Sequence, residues 1–189
     1  MSLRDALTGR RKVKGPAPDR LFALSTAYVT LEGEYAIKAD GVAGIVFQPL
    51  ATSDFESIVR DMEEVVKATG GEVGATVESF DDAFGYRWMI IRDPELEDLV
   101  VAVNAVSSAL ETGGYGDRVL CAVFAFSGPG SRKIYFIYNY KRGTWYPFVP
   151  AGDGARATER ELRIKAQVER ELPIEADIER WFPLWGIPF

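Results

Sequence analysis

Lys141 and Arg142 stand side by side ahead of Gly143, Thr144, Trp145, Tyr146, Pro147 and Phe148. Two adjacent cations at the end of a strand could clamp an anion, and three aromatics around a proline could hold a partner. Strands ordinarily close on small polar residues, so large amphipathic groups here need a reason. Three readings stay open: core folded back over a sheet edge, a partner surface, or a small-ligand or anion site using Lys141 and Arg142. The run Arg180-Trp181-Phe182-Pro183-Leu184-Trp185 raises the same choice. Pro183 and Pro188 exclude a regular helix there, and so many large apolar groups would be a liability in water. They either plug a groove on their own domain or meet another chain. Tyr140, Lys141, Arg142, Trp145, Tyr146, Phe148, Arg180, Trp181, Phe182 and Trp185 are therefore the partner-binding candidates. If the loop is a partner surface, changing Trp145 and Tyr146 together to alanine removes the partner and leaves the domain folded.

Other chemistries find little support. The 189 residues include no histidine and one cysteine. Without histidine the usual neutral-pH base and commonest metal ligand are missing, and with them Ser-His-Asp and Cys-His arrangements. Cys121 sits in the apolar run Val-Leu-Cys-Ala-Val-Phe and reads as a small buried hydrophobe. Glu78, Asp81, Asp82 and Asp93 bracket a hairpin and read as a solvated loop. Gly128-Pro129-Gly130-Ser131-Arg132-Lys133 looks like a phosphate loop but lacks the Gly-Lys-Ser/Thr ending and joins two strands, so it reads as a plain turn. No catalytic residue, metal or cofactor is expected, and a cryptic enzyme using Asp, Glu, Tyr or Lys has no spacing to support it.

The elements that position these residues come next. With 47% hydrophobic and 26% charged residues, the composition is that of a globular domain. Net charge is −6 and the pI about 4.9. The dense basic cluster (Arg10, Arg11, Lys12, Lys14) is confined to the start, so nucleic acid is not the expected partner. Residues 1–16 read as a flexible basic arm able to touch an anionic membrane surface, and 17–189 as one domain. No secretory h-region or span of ~20 apolar residues occurs, so a cytoplasmic protein is expected.

Leu21, Phe22, Leu24, Tyr28, Val29 and Leu31 suggest a helix, and 41–48 a strand. Phe55, Ile58, Val59, Met62, Val65 and Val66 give a clearer helix, with Ser53 and Glu56 as a capping box and Gly70-Gly71 as its stop. Strands near 72–80 and 84–92 flank an Asp81-Asp82-Ala83 loop. Asp93 as N-cap and Pro94 at the first helical position open a helix carrying Leu96, Leu99, Val100, Val103, Val106 and Leu110. A second hairpin pairs 117–126 with 132–140. A last helix starts at Thr158, with Glu161 completing a capping box. The order predicts a two-layer α+β domain: a mainly antiparallel sheet of about five strands with helices packed on one face.

The segments at 141–148 and 180–186, with Leu-Phe-Ala-Leu-Ser-Thr-Ala-Tyr-Val-Thr-Leu at 21–31 and Phe-Gly-Tyr-Arg-Trp at 84–88, resemble the PspA-associated protein PspAB family along the whole chain. That resemblance implies a cytoplasmic accessory of the phage-shock-protein response of actinobacteria and haloarchaea. In that system PspA, a coiled-coil protein of ESCRT-III type, guards membrane integrity. It implies PspA, or another protein of the same stress system, as partner, and it carries over no catalytic residue. The element order also looks like the type III secretion chaperone-like fold, by analogy only.

Overall fold

A computed structural model describes residues 18–69, 75–130 and 132–189. The 1–16 arm, the Gly70-Gly71 stop and Ser131 lie outside the described residues. The elements run α1 (Pro18–Tyr35), β1 (Lys38–Phe47), α2 (Ser53–Thr69), β2 (Thr76–Asp81), β3 (Arg87–Arg92), α3 (Leu96–Thr112), β4 (Val119–Gly128), β5 (Arg132–Asn139), β6 (Thr144–Phe148), a short ribbon of β7 (Pro150–Gly152) and β8 (Ala155–Arg156), and α4 (Thr158–Val168). The main sheet has six strands in the order β2-β3-β1-β4-β5-β6, every neighbour antiparallel. The α+β class is as the sequence predicts, with one strand more than expected.

That extra strand is the aromatic segment itself. Tyr138 pairs with Trp145 and Ile137 with Tyr146, so 144–148 is sheet, not loop. Pro147 is tolerated because β6 is an edge strand. Trp145 turns its backbone outward, where its N–H donates to Pro173 O at 2.9 Å and its C=O accepts from Glu175 N at 2.8 Å. Pro147, two residues on, has its nitrogen on that same outer side, where β5 asks for no donor. The segment 173–175, bridged to β6 at Ile174, thus covers an edge that at Trp145 would otherwise present free backbone groups.

Alternation sorts the sheet into two apolar faces. Ala43, Ile45, Phe47, Met89, Ile91, Phe124, Phe126, Phe136, Tyr138 and Trp145 face the helices. Leu21, Leu24, Ala27 and Leu31 of α1, Phe55 and Val59 of α2, and the whole predicted α3 stripe meet them. Each buried Val, Leu, Ile, Met or Phe among them contributes roughly 1.5–3 kcal/mol by leaving water. Val42, Val46, Trp88, Ile90, Val123, Tyr135, Ile137, Tyr146 and Phe148 point the other way. No helix covers that face among the described residues; the segment 174–189 does. Trp181 is 3% exposed and stacks on Tyr146 with centroids 6.4 Å apart. Phe189 lies over Gly44, where a Cβ would come within 2.9 Å of its ring. Tyr135 Oη donates to Phe189 O at 2.7 Å. Glycine in mid-strand is what lets that ring reach the sheet.

The expected caps are corrected. Phe55 N–H is held by Thr52 Oγ1 at 3.4 Å, and Glu56 is drawn away to Arg87. Asp93 accepts from Glu95 N at 2.9 Å, and α3 begins only at Leu96. α4 has no side-chain cap, because Glu161 is fully buried and accepts from Val149 N instead. At Glu56 and Glu161 a tertiary partner competes with the local capping bond and wins, whereas Asp93 stays with a local turn bond.

Candidate functional site

One end of the second face is left open between the β2–β3 loop and the segment 182–185. Asp82 shapes the loop. Its Oδ1 accepts from the N–H of Phe84 at 2.8 Å and of Tyr86 at 3.0 Å, and its Oδ2 accepts Trp88 Nε1 at 3.0 Å. Burial acts to raise the Asp82 carboxyl, but the bonds from Tyr86, Trp88, Phe84 and Gly85 outweigh it and hold it below its usual range. Gly85, at φ +80, supplies the left-handed residue the turn needs. This geometry pushes Phe84 out to 83% exposure. Phe84 and Tyr86 were expected inside a strand; the structure places both in the loop between β2 and β3. Asp82 with Gly85 was the available signal, since a carboxylate followed by glycine favours a side-chain-capped turn over a strand.

Arg87 fixes the base of this loop. Its Nε donates to Asp81 at 2.6 Å and its Nη1 to Glu56 at 2.8 Å, which ties the hairpin to α2. The Asp81 bond pushes Arg87 above its ordinary value, against burial and with help from Glu56. Glu78 and Asp81 are solvent-exposed, as the solvated-loop reading expects, and within the cluster Asp81 pairs with Arg87 and Asp82 holds the turn. Among the described residues no group of three or more acidic, His or Cys side chains is placed to hold a metal ion.

Across from Phe84, Phe182 and Trp185 project from the opposite wall, 59% and 46% exposed. Between the walls lies a cavity of about 470 Å³, floored by Cys121, Tyr146 and Trp88 and edged by Lys141. That size is in the range of ligand or side-chain pockets. Tyr146 is itself buried, its Oη donating to Phe182 O at 3.0 Å, which holds the second wall in place. Trp185 packs edge-on against Phe148 with centroids 5.1 Å apart.

The sequence candidates therefore separate by depth. Lys141, Tyr146, Phe182 and Trp185 line the groove. Tyr140 and Trp145 face the helices and are buried, and Phe148 and Trp181 are buried under the second face. Arg142 pairs with Glu175, and Arg180 with Asp177 at 2.9 Å. Burial acts to raise Glu175, but Arg142 and the Asp177 N–H hold its carboxyl below the usual range. Arg142 is thus taken by Glu175 while Lys141 lines the groove, and the two do not form one clamp. Trp145 and Tyr146 changed together would damage the core, so that double substitution does not test binding.

Cys121 lies at the groove floor. Burial pushes its thiol up to about 12, so the thiolate is scarce near neutral pH. Alkylation of the native protein by iodoacetamide is expected to stay slow and nearly flat between about pH 7 and 9, whereas the unfolded thiol accelerates through its ordinary value of about 8.5. A native rate equal to the unfolded rate would show that the thiol is neither shielded nor shifted.

The fold defines the class: an antiparallel α+β domain, helices on one face and an aromatic groove opening on the other. The family model described as PspA associated protein B matches residues 1–189, and the chain belongs to that family. No curated protein and no solved structure gives a significant match, so the likeness to type III secretion chaperones rests on element order alone. Among the described residues no helix is long and apolar enough to cross a membrane.

Proposed function

We propose that the protein is a non-enzymatic accessory of the PspA-type envelope-stress system, acting in the cytoplasm by holding a protein partner, PspA in the first instance, in the aromatic groove. Membership of a family described by its association with PspA supports the choice of partner. The observation that carries the site is the convergence of Phe84, Phe182 and Trp185, all exposed, on one cavity. Rings left in water forgo roughly 25 cal/mol for each Å² they could bury, and a protein that keeps three of them around one opening gains by covering them. The walls are rigid: Asp82 fixes one and Tyr146 the other, so little ordering is left to oppose binding. An apolar side chain would fill the cavity, with a carboxylate beside it for Lys141.

The groove can be tested without touching the core. With purified PspA and immobilised protein, Phe84→Ser and Phe182→Ser are each expected to weaken retention by roughly tenfold or more while circular dichroism stays unchanged. Retention of PspA equal to that of the unaltered protein in both variants would overturn the site.

A further inference from the structure

A second cavity, of about 550 Å³, opens at the other end of the sheet, on the helical side, with Arg132, Arg160 and Arg163 in its lining. Arg132 opens β5 just after the glycine-proline turn that resembles a phosphate loop in sequence, and Arg160 and Arg163 come from the first turns of α4. Tertiary structure brings Arg132 to two cations that lie 28 and 31 residues further along the chain. Arg163 has a partner, Glu159, at 3.1 Å, on an open surface. The side chains of Arg132 and Arg160 have no ion pair or hydrogen bond with any described residue.

Arg160 is placed with unusual closeness. At Gly128 a Cβ would fall 2.3 Å from Arg160 Nη2, so the absence of a side chain lets the guanidinium lie on the backbone where β4 ends. Burial lowers the Arg160 guanidinium, and the charges of Arg132 and Arg163 lower it further. Three like charges have been gathered with one carboxylate among them, on a chain whose net charge is −6. The first turn of α4 adds to this. It has no side-chain cap, and Ala157, Thr158 and Glu159 line the same cavity, so the positive end of the helix dipole lies beside it. Tyr35, Ile37, Pro129 and Ile164 give the rest of the cavity an apolar wall.

We propose that this cavity binds a phosphate ester, its anionic head held by Arg132, Arg160 and Arg163 and its organic body resting on the Tyr35–Ile164 wall. Guanidinium forks match phosphate oxygens two at a time, and a doubly charged anion relieves the repulsion that the empty cluster carries. A free metabolite and a lipid headgroup offer the same chemistry. The site is separate from the aromatic groove and stands whether or not that groove holds a protein.

The test uses the full chain, with calorimetric titration of glycerol 3-phosphate and co-sedimentation with phosphatidylglycerol or phosphatidylcholine vesicles. Glycerol 3-phosphate is expected to bind, and Arg160→Gln or Arg132→Gln to weaken it by roughly tenfold or more with unchanged melting. Lys141→Gln leaves it unaltered. Binding to phosphatidylglycerol vesicles alone, lost in the same two variants, supports the site with a lipid headgroup as source. Binding of the soluble ester alone supports a metabolite. Vesicle or ester binding that survives both arginine variants, equal binding of chloride, or no binding of any probe overturns the proposal.

Discussion

Trp145→Ala is expected to lower the unfolding free energy by about 3–5 kcal/mol, the range for losing a buried tryptophan. The ring is fully buried between α1 and the sheet, with Phe124 and Tyr138 at centroid distances of 5.7 and 5.1 Å. Its Nε1 donates to Arg20 O at 2.7 Å, a bond 125 residues long in sequence that pins the start of α1 to the edge strand. Alanine would leave both a large cavity and a carbonyl without its donor. Total stability of a domain is typically about 5–15 kcal/mol, so this one change removes a large fraction of it. Urea unfolding followed by circular dichroism gives the answer. Phe84→Ser, at a ring that is 83% exposed, is the internal comparison and is expected to shift stability by no more than about 0.5 kcal/mol. Equal midpoints for the Trp145 variant and the unaltered protein would mean that the ring is not the core residue described here.

That contrast explains how far the sequence could be read. The α2 and α3 stripes were legible because Phe55 with Val59, and Leu99 with Val103, recur at a spacing that only a helix turns to one side. The order of hairpins and helices was legible for the same reason, and it leads to the right fold class. What was not legible depends on contacts between distant residues. Trp145 and Phe84 are both aromatic residues beside a turn, yet one is buried by α1 and the other is pushed into solvent by Asp82. A proline such as Pro147 is ordinarily unwelcome in a strand, and only the position of β6 at the sheet edge makes it harmless. A sheet with both faces apolar does not announce what covers each. The four helices among the described residues take one, and nothing local in Trp181 or Phe189 says that they take the other.

The candidate groove divides in the same way. Lys141, Tyr146, Phe182 and Trp185 were visible as chemistry out of place in a loop, and the structure does gather them. Their opposite wall, Phe84 and Tyr86, was hidden by its apolar alternation, which imitates a strand. The cationic cavity was less legible still. Arg132 belonged to a turn without the lysine and hydroxyl of a phosphate loop, and Arg160 to the polar side of a helix. Neither had any sequence cue to the other.

Glu161→Ala is expected to cost about 3–5 kcal/mol, because it breaks a buried ion pair from one side only. The Glu161 carboxylate is fully buried, accepts from Val149 N at 2.8 Å and from Arg156 Nε at 2.8 Å. Alanine would strand a backbone N–H and a guanidinium that is mostly out of water. The damage should spread along Arg156, whose Nη1 donates to Trp181 O at 2.5 Å and whose guanidinium lies 5.6 Å from the Phe148 ring. The segment carrying Phe182 and Trp185 is held in part by that contact, beside the Tyr146–Phe182 bond, so one wall of the groove loosens with it. Limited proteolysis should then cut near 181–185 faster in Glu161→Ala than in the unaltered protein, at denaturant concentrations where both remain folded. Glu161→Gln separates the two bonds: it keeps an acceptor for Val149 N but turns a donor toward Arg156, and it should fall between the other two in stability. Cleavage at 181–185 that does not change while stability drops would show that Arg156 holds Trp181 without help from Glu161. A drop of less than about 1 kcal/mol would show that Arg156 reaches water once its partner is gone.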